Sequence, residues 1–182
     1  MMLAVQRDTQ NSFVQILAQA EELLTTISAK DYQAVLQPHF SGSIGGHIRH
    51  ILDHFSALQV AHSKAEIDNC VIDYNKRRRF SEIEKDPSAA LQESHRIQVW
   101  LSAITAHEYD LPVQLCSEIS IQDKQSALCT STFQRELVFV ASHAIHHYAL
   151  VRIIRAMQGY ELSTKFGYAP ATLSHLREVA NA

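Results

Sequence analysis

The sequence predicts an all-α protein: a four-helix bundle with a long crossover between helices two and three and a small hairpin before helix four. Three observations predict it. Apolar residues recur at helical spacing in four separate stretches. Capping residues stand where several of these stretches begin, and a glycine stands where the last one ends. The segments between them carry no helical stripe. With 182 residues, 46% hydrophobic and 19% charged, residues 1-182 are expected to form a single domain that needs no disulfide or structural metal to hold its core.

The first helix is read from Asn11 to about Ser28, where Phe13, Ile16, Leu17, Ala20, Leu23, Leu24 and Ile27 form one stripe, with a turn expected at Lys30-Asp31. The second starts in "SGSIGGHIRHILDHFSALQVAHSK", with Ser41 or Ser43 as cap and Ile44, Ile48, Ile51, Leu52, Phe55 and Leu58 facing inward, despite two glycines in its first turn. Residues 69 to 85 break the pattern and read as a long irregular surface connection. Asp86 as N-cap and Pro87 at the first helical position restart the chain as helix three. "LPVQLCSEISIQDKQSALCTST" alternates around a polar "QDKQ" and predicts the hairpin. Helix four runs from about Thr132 to Gln158, Gly159 being a natural C′ residue, and a short final helix ends the chain.

The formal charge of -3 gives no basic excess, and the short run Lys76-Arg77-Arg78-Arg79 reads as a solvated loop, so no nucleic-acid partner is expected. The N-terminal residues lack a basic region followed by an apolar core, and no unbroken apolar run reaches about 18 residues, so no membrane association and a cytoplasmic location are expected. The three cysteines, Cys70, Cys116 and Cys129, form no CxxC pair and are expected as free thiols, with Cys116 and Cys129 facing each other across the hairpin.

Six of the eleven histidines fall in two windows: His47, His50 and His54 on helix two, and His143, His146 and His147 on helix four. Each window projects imidazoles from one face, because residues four apart sit about 40° apart round a helix. An i, i+4 histidine pair offers two ligands to one cation, and a facing helix can supply a third, leaving a position open to water or substrate. Imidazole suits zinc, nickel and ferrous iron alike. Burying several imidazoles without partners is costly, which favours a metal over an unassisted core. His39, His62, His95, His107 and His175 are read instead as ordinary hydrogen-bonded or surface residues.

With "SIGGHIRHILDHF" and "RELVFVASHAIHHYALV" in view, the chain resembles the DinB/YfiT-like superfamily of four-helix metalloproteins over nearly all its length. The shared pattern is one histidine on the second helix and an HxxxH on the last. The resemblance implies His50, in the segment from Ser43 to Asp53, with His143 and His147 as metal ligands. His47 and His54 share the face of His50 and compete for its place. His146, about 100° round the helix from His147, fits a packing role. The family's "HHRGQ"-type ending is replaced here by "HHYAL", and "IDYNKRRRF" and "KFGYAPATLSHLR" are similar to segments of one uncharacterised branch.

The resemblance further implies a divalent metal that activates a small thiol or a water, hence a metal-dependent thiol transferase or hydrolase acting on a small molecule, with a low-molecular-weight thiol as a candidate co-substrate. No HExxH motif is present, which disfavours a metalloprotease. Tyr74, Arg77 and Arg79, on the long crossover, are the candidate substrate-binding residues, since an arginine fork suits a carboxylate or phosphate. Glu136, equally placed for a surface ion pair with Arg135 or another cation, is a candidate for orienting a ligand or accepting a proton, and Asp53 is a similar candidate. The alternative is a non-enzymatic bundle that binds a small ligand or a protein, its histidines forming a polar core network. A homodimer is the expected assembly.

Overall fold

The computed structural model describes residues 2–64 and 71–181; Cys70 and the start of the expected irregular connection lie outside the described residues. The chain begins with α1 (Met2–Ala18), α2 (Glu21–Thr26) and α3 (Ala29–Gln33). The stripe from Phe13 to Ile27 is buried as the spacing requires. It is carried by two helices rather than one, because the backbone tightens at Ala20, whose N–H reaches back to Leu17 at 3.2 Å. Lys30 and Asp31, expected in a turn, lie in α3, which Ser28 caps by accepting from the Asp31 N–H at 3.1 Å.

α4 (Ile44–His62) is capped by Ser43, whose hydroxyl accepts from the Gly46 N–H at 3.1 Å, and all six of its expected inward residues are buried. Its glycines have different reasons. A Cβ at Gly45 would stand 2.1 Å from the Glu84 carbonyl oxygen and 2.8 Å from Tyr32 Cε1, so only glycine lets this turn meet its neighbours, whereas Gly46 has ordinary room.

The sheet corrects the all-α expectation. β1 (Val71–Asp73) lies in the supposedly irregular connection and pairs in parallel with β2 (Pro112–Glu118), Ile72 opposite Leu115. β2 pairs antiparallel with β3 (Ser126–Thr132), the expected hairpin. The protein is therefore mostly helical with a small mixed three-stranded sheet, α+β rather than all-α. In the register Leu115 opposes Cys129 and Cys116 opposes Leu128. Adjacent residues of a strand point to opposite faces, so the two thiols, both free, do not face each other.

α5 (Glu82–Lys85) ends the crossover, and α6 (Pro87–Ala103) starts as read, with Asp86 accepting from the Ser88 N–H. α7 (Phe133–Met157) is capped by Thr132 and followed by Gly159 at φ 85°, and α8 (Pro170–Ala180) lies on the surface with no buried residue. α4 packs against α6 and α7, and α1 packs against the same two, closing a ring of four long helices. The buried residues of the ring and of β1 and β2, among them Leu17, Phe55, Ile72, Ile97, Leu137 and Tyr148, form one cluster. Among the described residues α7 is the helix long and apolar enough to cross a membrane by length and composition; here its buried face is part of that cluster.

The basic run is not wholly a solvated loop. Lys76 is exposed, but Arg78 Nε lies 2.6 Å from Asp53 Oδ1, its backbone N–H donates to Asp53 Oδ2 at 3.0 Å, and its Nη1 lies 2.6 Å from Glu93 Oε1. Asp53, 5% exposed, also pairs with Arg49 at 3.2 Å. A buried carboxylate needs such partners, and the result is a crossover pinned to α4.

Candidate metal centre

α4 and α7 lie side by side, and each turns an i, i+4 histidine pair toward the other. Nε2 of His143 is 2.9 Å from Nε2 of His50 and 3.2 Å from Nε2 of His147. One ring nitrogen from each of His50, His54 and His143 lies within 4.8 Å of the others, a group that could hold a metal ion. Two nitrogens held about 2.05 Å from one cation stand about 3.3 Å apart in a tetrahedral arrangement and about 2.9 Å apart as octahedral neighbours. The two Nε2 separations from His143 match that scale, as residues able to hold an ion require.

The rings are also in the state a ligand needs. Burial above all, then repulsion from His54 where that ring is itself protonated and from the Arg77 guanidinium, pushes His50 down to about 2. Burial likewise takes His147 to about 3 and His54 to about 4, and lowers His143 and His47 below the ordinary imidazole value. Each ring is thus neutral near pH 7 and carries one lone pair.

Two rings are held from behind. The His50 carbonyl can only accept, so His54 donates Nδ1–H to it at 2.9 Å and keeps its Nε2 lone pair free. His147 Nδ1 meets His47 Nδ1 at 2.9 Å; with the proton on His147, its Nε2 is left as the ligand atom and His47 is the acceptor. His47 Nε2 is buried without a hydrogen-bond partner among the described residues.

Aromatic rings close one side. Tyr74 stacks on His54 at 5.1 Å and 19°, and Phe139 on His143 at 5.8 Å and 16°. Behind them Glu136, wholly buried, accepts from the Tyr74 hydroxyl at 2.9 Å, from Ser131 at 2.6 Å and from Arg135 at 2.7 Å. Burial and the Glu136 carboxylate push the Tyr74 hydroxyl upward, which keeps it a donor. The other side opens into a pocket of about 370 Å³ lined by His47, His50, His147, Arg79, Phe80 and the first turn of α4.

The expected residues fall in distinct places. His50 and His143 meet as expected; the compact three-nitrogen group takes His54 as its third member, while His147, expected as third, touches His143. Arg79 is at the mouth. Arg77 donates Nη1–H to the Tyr74 carbonyl and lines a neighbouring groove with Asp53, its charge reaching His50, His54 and His143. Tyr74 is buried behind His54 rather than at the mouth. Asp53 and Glu136 hold arginines and hydroxyls, and no hydrogen bond to an imidazole is among their contacts in the described residues. His146 is exposed beside His147, and His62, read as ordinary, is bound to Glu108 at 2.9 Å and to Trp100 at 3.2 Å. Sequence reasoning missed Phe80, whose position depends on a backbone angle that its residue type does not reveal.

Fold and site together define a mostly helical α+β protein with a histidine group that could hold a metal. No family model matches the chain, and no solved structure matches it. Among curated proteins, 108 of its residues are 34% identical to FK506-binding protein 5 of Rhizopus delemar, covering 59% of this chain and 28% of that protein. The chain thus spans little more than a quarter of that relative's length, and the likeness assigns it to no family.

Proposed function

We propose that this chain is a divalent-metal-dependent enzyme of thiol transferase or hydrolase type, acting on a small molecule and built on a DinB-like four-helix bundle. The observation that carries the reading is the approach of His143 Nε2 to two other imidazoles, 2.9 Å from His50 Nε2 and 3.2 Å from His147 Nε2. His50, His143 and His147 are the proposed ligands. His147 is preferred to His54 as the third because the pocket opens on His50 and His147, where a substrate would enter. When bound, a divalent cation such as zinc, nickel or ferrous iron supplies a Lewis acid that makes a thiolate or hydroxide available near neutral pH.

The chain's own groups do the rest. His47 accepts from His147 Nδ1–H and fixes that ring's tautomer. Tyr74 and Phe139 shield the far side from water. Arg79 gives a substrate anion a partner at the mouth, and Arg77 adds positive potential from behind.

Elemental analysis of protein purified without an affinity tag tests this. About one divalent cation per chain is expected, lost in His50→Ala, His143→Ala and His147→Ala and kept in His54→Ala. Metal-free protein that takes up none on reconstitution overturns the reading; retention in His147→Ala with loss in His54→Ala moves the third ligand to His54.

A second reading draws on the same distances. Each close N···N approach is also a hydrogen-bond length, so the imidazoles could be a polar core network in a small-ligand-binding bundle. The fungal relative is itself named for binding FK506. Under that reading the histidine variants would lose stability and no metal would bind.

A further inference from the structure

Phe80 combines two unfavourable features. It is 80% exposed, and its φ of 62° lies in the left-handed region, where a bulky side chain is strained. The surroundings hold it there. Its N–H donates to Glu84 Oε2 at 3.0 Å, Glu84 is held in turn by Arg49 Nε at 3.2 Å, and Arg78 two residues earlier is tied to Asp53 and Glu93. Glycine would take this backbone without strain, and a polar side chain would take the exposure without penalty. Phenylalanine satisfies neither demand, so its ring is presented for something else.

It is presented at the rim of the pocket of about 370 Å³ that reaches His50 and His147. Arg79, in the same lining, has no hydrogen bond or ion pair among the described residues. The first turn of the 19-residue α4 also lines the pocket, and its N-terminal end adds positive potential. Glu84, a carboxylate in the lining, is already engaged by Arg49 and by the Phe80 N–H. An uncommitted cation and an exposed flat ring therefore stand together over the histidines.

We propose that this pocket takes an organic anion whose flat apolar body carries a carboxylate or a phosphate: the anionic group on Arg79 and the α4 N-terminus, the flat body on Phe80. That the far end of this ligand reacts at His50 and His147 rests on the metal-dependent reading; the ligand class rests on the pocket alone.

Calorimetric titration of the full chain, with and without zinc, tests it using 2-naphthoate, its fully saturated analogue and acetate. Naphthoate should bind at least tenfold more tightly than acetate, and about threefold to tenfold more tightly than the saturated acid, the range an aromatic pair contributes. Phe80→Gly should abolish the second preference while raising the melting temperature by roughly 2–4 °C, as left-handed strain is released in a chain of this size. Arg79→Gln should weaken all three acids. Equal binding of naphthoate and its saturated analogue, or a preference that survives Phe80→Gly, overturns the proposal, and a lowered melting temperature in Phe80→Gly shows the ring to be structural and overturns it too. Zinc uptake without the naphthoate preference defeats the ligand class and leaves the metal centre; the preference in a chain that takes up no zinc defeats the metal centre and leaves the ligand class.

Discussion

His143 is the residue on which the centre turns, because it alone makes both close Nε2 contacts, at 2.9 Å to His50 and 3.2 Å to His147. Replacing it with alanine removes one imidazole and leaves two that no longer share a third. Protein zinc sites with four ligands bind with apparent free energies of about 10–16 kcal/mol, so one ligand accounts for about 3 kcal/mol, and its loss weakens binding by on the order of a hundredfold. Competition against a zinc-chelating dye measures this directly. His146→Ala, one residue from His147 and exposed, is the matched control and should leave the affinity unchanged. The metal-free His143→Ala protein should melt within a few degrees of the parent, since the deleted ring is only half-buried and its burial already opposes its charged form. An affinity unchanged in His143→Ala, or lowered equally in His146→Ala, would refute the geometry proposed for the centre.

Other substitutions probe the frame around it. Gly45→Ala should destabilise by about 1–3 kcal/mol through the 2.1 Å approach to the Glu84 carbonyl, while Gly46→Ala, which meets only ordinary contacts, should stabilise by up to about 1 kcal/mol; thermal melts that rank them the other way sink the packing argument. Tyr74→Phe withdraws one donor from the buried Glu136, which keeps Ser131 and Arg135, and should cost about 1–2 kcal/mol in urea melts with zinc affinity within threefold of the parent; a large loss of zinc would give the hydroxyl a part in the centre. Glu93, held down to about 2 by Arg96 and then Arg78, contributes stability that is fully present above about pH 4.5 and lost as pH falls toward 2. In a dry site that is about 3 kcal/mol, and about 1–2 kcal/mol after solvent screening of its partly exposed arginines, so the parent's advantage over Glu93→Gln should shrink through that window; an advantage constant with pH contradicts the ion pairing.

The helices were legible because burial needs a continuous stripe and caps need particular side chains. Ser43, Asp86 and Thr132 all accept from the first turn of the helix they precede. β1 was not legible, because three residues give no period to read and their partner, β2, lies some forty positions away. The facing of Cys116 and Cys129 failed for a related reason: composition reveals a hairpin, but only the register decides which residues oppose, and here it places each cysteine against a leucine. At the centre, histidine spacing told which residues share a face. It could not tell which ring nitrogens converge, because that depends on side-chain rotation and on what holds each ring from behind, the His50 carbonyl for His54 and His47 for His147.

The crossover joins the fold to the site. Asp53 precedes His54 on α4, so the carboxylate that grips Arg78 and the imidazole beside the centre are fixed to the same turn of helix. With Arg78 clamped, its neighbours in sequence are delivered to different places: Arg77 behind the histidines, bonded to the Tyr74 carbonyl, and Arg79 to the open mouth. Four consecutive basic residues thus divide into a solvated lysine, a rear charge, a structural clamp and an uncommitted cation. A sequence shows only their shared sign, and the buried partner of one of them sets the positions of the others.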